Sequence, residues 1–176
     1  MVPLQLLERG PVAQHHPLGA STGYMEEQRG DWSALVEGAL ETSSFAVELA
    51  ALSATELPGL LAFLDGAPPL PFHYVSVHAP TKHLRMSDAE LVDQLLRLPA
   101  WVDAIVIHPD VIEDLAPYRR LGAALVVENM DPRKFAGRTA DELEPLFEAL
   151  PEAGFCLDVA HAAAVAVAEA PAKAYN

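Results

Sequence analysis

The sequence predicts an α/β fold: a parallel (β/α) barrel, incomplete, with about six βα units. Short β-branched runs alternate with amphipathic segments along the chain, the pattern of parallel strands joined by crossover helices. Within each run the residues alternate in kind, as they do when one face packs under helices and the other lines a barrel. In five runs the polar residue at the C-terminal end falls on the inner parity, and that end is where parallel barrels carry their chemistry.

The elements follow in order. A short strand is expected near residues 18–24. Asp31 can cap a helix carrying Leu35, Val36 and Leu40. Residues 45–49 read as a strand, and 57–64 as a helix stopped by Gly66 and the Pro68-Pro69 pair. Residues 74–78 form the next strand, ended by Pro80. Ser87 with Glu90 three residues later forms a capping box, and Leu91, Leu95, Leu96 and Leu98 supply the apolar face of the helix behind it. Residues 104–108 are a strand, followed by an expected helix with Val111, Leu115 and Tyr118 that ends at Gly122. Residues 125–128 are a strand. Thr139 and Glu142 start a helix that turns Leu143, Leu146 and Phe147 inward. Residues 155–158 are the sixth strand, and a helix is expected from Ala162.

The parity of each strand selects the inner residues. With His78 inward, Ser76 and Tyr74 follow it, and Val75 and Val77 face helices. His108 takes Val106 and Ala104 with it, Glu128 takes Val126, and Asp158 takes Cys156. Glu48 is inward by the same rule.

The chain has 176 residues, 25 acidic against 11 basic, for a formal net charge of −14. Such a charge repels nucleic acid at long range, and no basic run offsets it. One cysteine, Cys156, permits no internal disulfide, which points to a reduced, cytoplasmic setting. No signal peptide and no apolar run of transmembrane length are read.

Imidazole and carboxylate groups converging from neighbouring strand ends suit a hard or borderline divalent cation: Zn, Mn or Mg. His78, His108, Glu128 and Asp158 are separated by 30, 20 and 30 residues, one βα repeat each, and His161 lies where the following loop returns to the same rim. A buried carboxylate needs a partner or a metal, and five such residues on one face make that site the expected one. A lone strand-end histidine would more often be an ordinary hydrogen-bonded residue. Other polar residues are secondary. Glu48 could bind substrate or pair with a cation, and His15 and His16 could line the pocket. Arg133 and Lys134 could hold a phosphate or carboxylate, against the plainer reading of a solvated pair. His73 and His83 lie off the inner parity. Cys156 reads as packing one layer below Asp158, and Trp32 and Trp101 read as structural.

The segments VSVHAP at 75–80, IVIHPD at 105–110, LVVENMD at 125–131 and FCLDVAH at 155–161 resemble the xylose isomerase-like TIM-barrel superfamily. That superfamily includes sugar phosphate isomerases and epimerases and the endonuclease IV family. The resemblance spans roughly residues 18–165. It implies that His78 and His108 are the third- and fourth-strand metal histidines. Glu128 would be the fifth-strand glutamate, a metal ligand that also serves as acid/base, and Asp158 and His161 the sixth-strand D-x-x-H pair. The five-residue set is closer to the endonuclease IV pattern than to a minimal one-metal isomerase. The family barrel has eight strands. Residues 1–176 therefore read as one domain, C-terminally truncated relative to the family, without its seventh-strand histidine and eighth-strand glutamate. An open barrel edge exposes apolar groups, so a homo-oligomer that closes it is expected.

Three functions follow as expectations. The first is a metal-dependent isomerase or epimerase acting on a sugar or sugar phosphate through an enediolate, with Glu128 moving the proton. The second is an endonuclease IV-like metal-dependent phosphodiesterase, opposed by the net charge. The third is a non-catalytic metal-binding barrel remnant.

Overall fold

A computed structural model of the chain describes residues 17–82 and 84–170. The strands are β1 (Gly19–Ser21), β2 (Ala46–Ala50), β3 (Tyr74–His78), β4 (Ala104–Ile107), β5 (Leu125–Glu128) and β6 (Gly154–Cys156). The helices are α1 (Trp32–Thr42), α2 (Leu57–Leu64), α3 (Asp88–Leu95), α4 (Ala140–Ala149) and α5 (Val159–Glu169). All six strands lie in one sheet in sequence order, and every neighbouring pair is parallel. β1 and β6 each have a single strand partner among the described residues. No helix among those residues is long and apolar enough to cross a membrane.

Helix starts are set by side chains that take the unpaired first-turn N–H groups. Asp31 accepts from Ala34 N at the head of α1. Ser87 and Glu90 close the expected capping box on α3, and Thr139 caps α4. The core lies on the outer face of the sheet. Val47, Leu49, Val75, Val77, Ile105, Ile107, Leu125 and Val127 pack in one cluster with Leu35, Leu57, Leu60, Leu64, Leu91 and Leu95 from the helices. Each such leucine or valine contributes about 1.5–3 kcal/mol by leaving water. The other strand face is left for polar residues, as the alternation requires.

Three expectations are corrected. Residues 109–124 hold no α-helix. They form 3₁₀ turns at Pro109–Val111 and Pro117–Ala124, with Gly122 at φ 55 and ψ −138 breaking the second. The backbone between them is bonded to side chains instead. Asp88 Oδ2 accepts from Glu113 N and Asp114 N, and Asp114 Oδ1 accepts from Ala116 N. Leu96, the C-cap of α3, is 43% exposed rather than part of the α3 apolar face. Phe155 and Leu157 have the outward parity but stay 51% and 58% exposed, since β6 is an edge with little packed over it.

Candidate metal centre

Strand alternation and the sheet stagger together assemble the site. His78 is the last residue of β3 and pairs in register with Val106, one pleat below His108, which follows β4 directly. Glu128 ends β5. In register Glu128 is level with His108, both one pleat beyond His78, and all three side chains fall on the same face of the sheet. His78 and Glu128 are only 7% and 8% exposed.

The donor atoms converge. His78 Nε2 lies 3.1 Å from His108 Nε2, and Glu128 Oε2 is 3.5 Å from the first and 3.6 Å from the second. His78 Nδ1–H donates to Ala79 O at 2.8 Å, which leaves the Nε2 lone pair aimed at the convergence point. Two imidazole lone pairs and a carboxylate oxygen facing one another repel unless a cation or a proton sits among them. A tetrahedral ion with bonds of about 2.0–2.1 Å keeps its ligand atoms roughly 3.3 Å apart. The three separations match that spacing, and the His₂-carboxylate donor set suits Zn, Mn or Fe-type ions. His78, His108 and Glu128 therefore fit a divalent ion.

The electrostatics of the bare site agree. Burial raises the Glu128 carboxyl, but hydrogen bonds and charge from His108 and His78, when those rings are protonated, outweigh it and bring the value to about 2. Burial disfavours charge on His78, yet Glu128, Glu48 and the Ala79 carbonyl more than offset it, so the His78 value is raised.

Asp158 and His161 form a second group around Glu128. Asp158 is the N-cap of α5, and its Oδ1 accepts from His161 N at 2.7 Å. His161 Nδ1 is 3.4 Å from Glu128 Oε1 and 3.6 Å from Asp158 Oδ2. That nitrogen already donates its proton to Asn129 O at 2.8 Å, so its lone pair is on Nε2, 3.9 Å from Asp131 Oδ2. In this geometry the second group has two carboxylates but no inward imidazole lone pair, and the first group is the better-formed ion site.

The remaining candidates are placed as follows. Glu48 is on the inner face and accepts a hydrogen bond from Ser21 Oγ at 2.6 Å. It shares a pocket of about 270 Å³ with Ser21, Tyr74 and Ser76. Arg133 stands at the rim, ion-paired with Asp131 at 2.5 Å, and Lys134 pairs with Asp110 at 2.6 Å. His16, His15 and His83 lie outside the described residues. His73 stacks beside Phe45 away from the site. Burial, then the carboxylates Glu128, Glu48 and Asp158, push the Cys156 thiol up to about 11, so it is no nucleophile at neutral pH.

Three residues join the site without having been singled out. Asn129 clamps the Asp158 backbone in both directions, accepting from its N at 2.7 Å and donating to its O at 3.0 Å. Asp131 faces His161 and is held well below the usual carboxylate range by hydrogen bonds from the Arg133 side chain and backbone. Asp110 faces His108 Nδ1 at 3.7 Å. All three lie past the strand ends. The signal that could have found them is composition: Asn and Asp buried just after apolar strands need partners. Comparison with family models, curated proteins and solved structures finds no match to this chain.

Proposed function

We propose that the chain is a metal-dependent isomerase or epimerase acting on a sugar or sugar phosphate, built as part of a TIM-type barrel. The convergence of His78 Nε2, His108 Nε2 and Glu128 Oε2 at the C-terminal strand ends carries this reading. A bound divalent ion supplies Lewis acidity toward a substrate carbonyl or hydroxyl. His78 and His108 would hold the ion, with Glu128 as the carboxylate ligand. Glu128 Oε1 faces away from the two histidines, toward His161, and is the oxygen available to accept a proton from the carbon beside the carbonyl. The C–H electron pair becomes the C=C bond of the enediolate as the carbonyl π pair moves onto its oxygen. Return of the proton to the former carbonyl carbon, with the hydroxyl proton passing between the two oxygens, gives the isomer, and protonation of the original carbon on its opposite face gives the epimer. Ser21, Glu48, Tyr74 and Ser76 line the adjacent inner face with hydroxyl and carboxylate groups suited to a polyol, and Arg133 offers a rim cation for a phosphate. A lone thiol fits a cytoplasmic setting.

The test is exchange of solvent deuterium into a panel of aldoses, ketoses and their phosphates with Zn²⁺, Mn²⁺ or Mg²⁺. Exchange is expected in the wild type, with a loss of about 10²-fold or more in Glu128→Gln. Metal content measured on the same samples should fall in that variant. The sharing of Glu128 by two carboxylate-histidine groups favours a second reading, a phosphodiesterase of the endonuclease IV type. The net charge of −14 opposes a polyanionic substrate. Cleavage of abasic-site DNA without any carbon-bound exchange would decide for the phosphodiesterase.

A further inference from the structure

Two buried polar atoms have no hydrogen-bond partner among the described residues, His108 Nδ1 and Asp110 Oδ1. They face each other at 3.7 Å. A nitrogen and a carboxylate oxygen left in this way each forfeit the solvation they had in water. Their mutual approach by less than an ångström satisfies both, provided Nδ1 carries the proton. That tautomer is the one that leaves the His108 lone pair on Nε2, pointed at His78 Nε2 and Glu128.

The surroundings hold Asp110 in this role. Its side chain is almost wholly buried, and its other oxygen takes Lys134 Nζ at 2.6 Å. The ammonium so close by opposes a second cation at Asp110, which leaves the hydrogen bond to His108 as the use for Oδ1. Lys134 reaches Asp110 because the loop after β5 folds back over the turn after β4. Met130 N donates to Gly137 O at 2.8 Å, and Gly137 lies so close to Pro109 that a Cβ there would overlap its ring. Asp110 is thus placed two residues after the ligand it faces and tied to a loop from the next strand.

We propose that Asp110 is a positioning residue: it accepts a hydrogen bond from His108 Nδ1–H, fixes that ring's tautomer and orientation, and thereby sets the affinity of the ion site, with Lys134 holding the carboxylate in place. This rests on the reading of His78, His108 and Glu128 as metal ligands. Carboxylates in this relation to a ligating histidine typically change metal affinity by about 10–100-fold when removed.

The experiment has two arms on the full chain. In the first, Zn²⁺ affinity is measured by chelator competition for wild type, Asp110→Ala and Asp110→Asn. Circular dichroism confirms the fold, and the Asn variant keeps the volume should the Ala variant fail to fold. Affinity is expected to fall about 10–100-fold in Asp110→Ala and less in Asp110→Asn, whose amide oxygen can still accept. Affinity within twofold of a wild type that binds Zn²⁺ overturns the proposal. In the second arm, ¹⁵N NMR of the metal-free protein reads the His108 tautomer. His108 Nδ1 is expected to be fully protonated in wild type, whatever proton Nε2 shares with His78 and Glu128, and only partly protonated in Asp110→Ala. A wild type that binds no Zn²⁺ sinks the metal reading, and this arm then decides alone. A His108 signal unchanged by the substitution overturns the role of Asp110.

Discussion

Buried polar side chains in this protein are tied to partners far away in sequence, and Tyr118 illustrates the consequence. Its hydroxyl donates to Oδ1 of the half-buried Asp88 at 2.7 Å at the edge of the core. Burial first, and the Asp88 carboxylate second, push the phenol far above its ordinary value of 10.0. A group whose folded value is raised contributes stability that is fully present below the unfolded value and lost as pH rises past it. Urea midpoints should therefore fall in wild type above about pH 10. Tyr118→Phe should cost about 1 kcal/mol at neutral pH and show a shallower alkaline fall. Equal falls in both proteins would remove the titration of Tyr118 as the cause. The site residues divide by the same logic. His78, His108 and Glu128 were legible because strand alternation decides which side chain faces inward. Asn129, Asp131 and Asp110 were not, because period 2 ends with the strand. A carboxylate in a loop reads as solvated until its partners, Arg133 and Lys134, are seen folded back on it.

At the level of elements, what is local in the chain is what could be read from it. The helix starts at Asp31, Ser87 and Thr139 depend on side chains within three residues, and the strands on their own alternation. The connection from β4 to β5 depends instead on Asp88, 25 or more residues upstream, so its helix-like spacing of Val111, Leu115 and Tyr118 misled. The loop after β5 is equally non-local. Gly137 has φ 79 and no room for a Cβ against Pro109, whereas Gly66 has φ 66 and open space around it. Both positions strain an L-residue by about 1–2 kcal/mol. Only Gly137→Ala adds overlap, for a further 1–3 kcal/mol or so, relieved by moving the loop off the Pro109 turn. Denaturant midpoints should rank wild type, then Gly66→Ala, then Gly137→Ala. Zn²⁺ affinity should fall in the last alone, because that loop carries Lys134 to Asp110. Equal midpoints for the two variants would mean that the loop yields without cost.

For the molecule as a whole, the open sheet and the ion site bear on each other. β1 and β6 have unpaired edges among the described residues, and Phe155 in β6, Leu157 just after it, and Val159 and Val167 in α5 are exposed. Apolar edges of this kind favour self-association, and a mass in solution above that of one chain is the expected result of sedimentation. A single-chain mass at all concentrations tested would exclude it. The centre of the sheet has a different weakness. The ends of β3, β4 and β5 bring two imidazoles and a carboxylate together. An ion bound by His78, His108 and Glu128 in the folded chain alone stabilises it by mass action, about 2.7 kcal/mol when the free ion is at 100 times its dissociation constant. For a domain of this length that corresponds to a rise in Tm of about 5–11 °C. Saturating Zn²⁺ should produce that rise, EDTA should abolish it, and Glu128→Gln should show little of it. Should Glu128→Gln gain as much as wild type, the ion binds elsewhere, and the three strand ends are not its site.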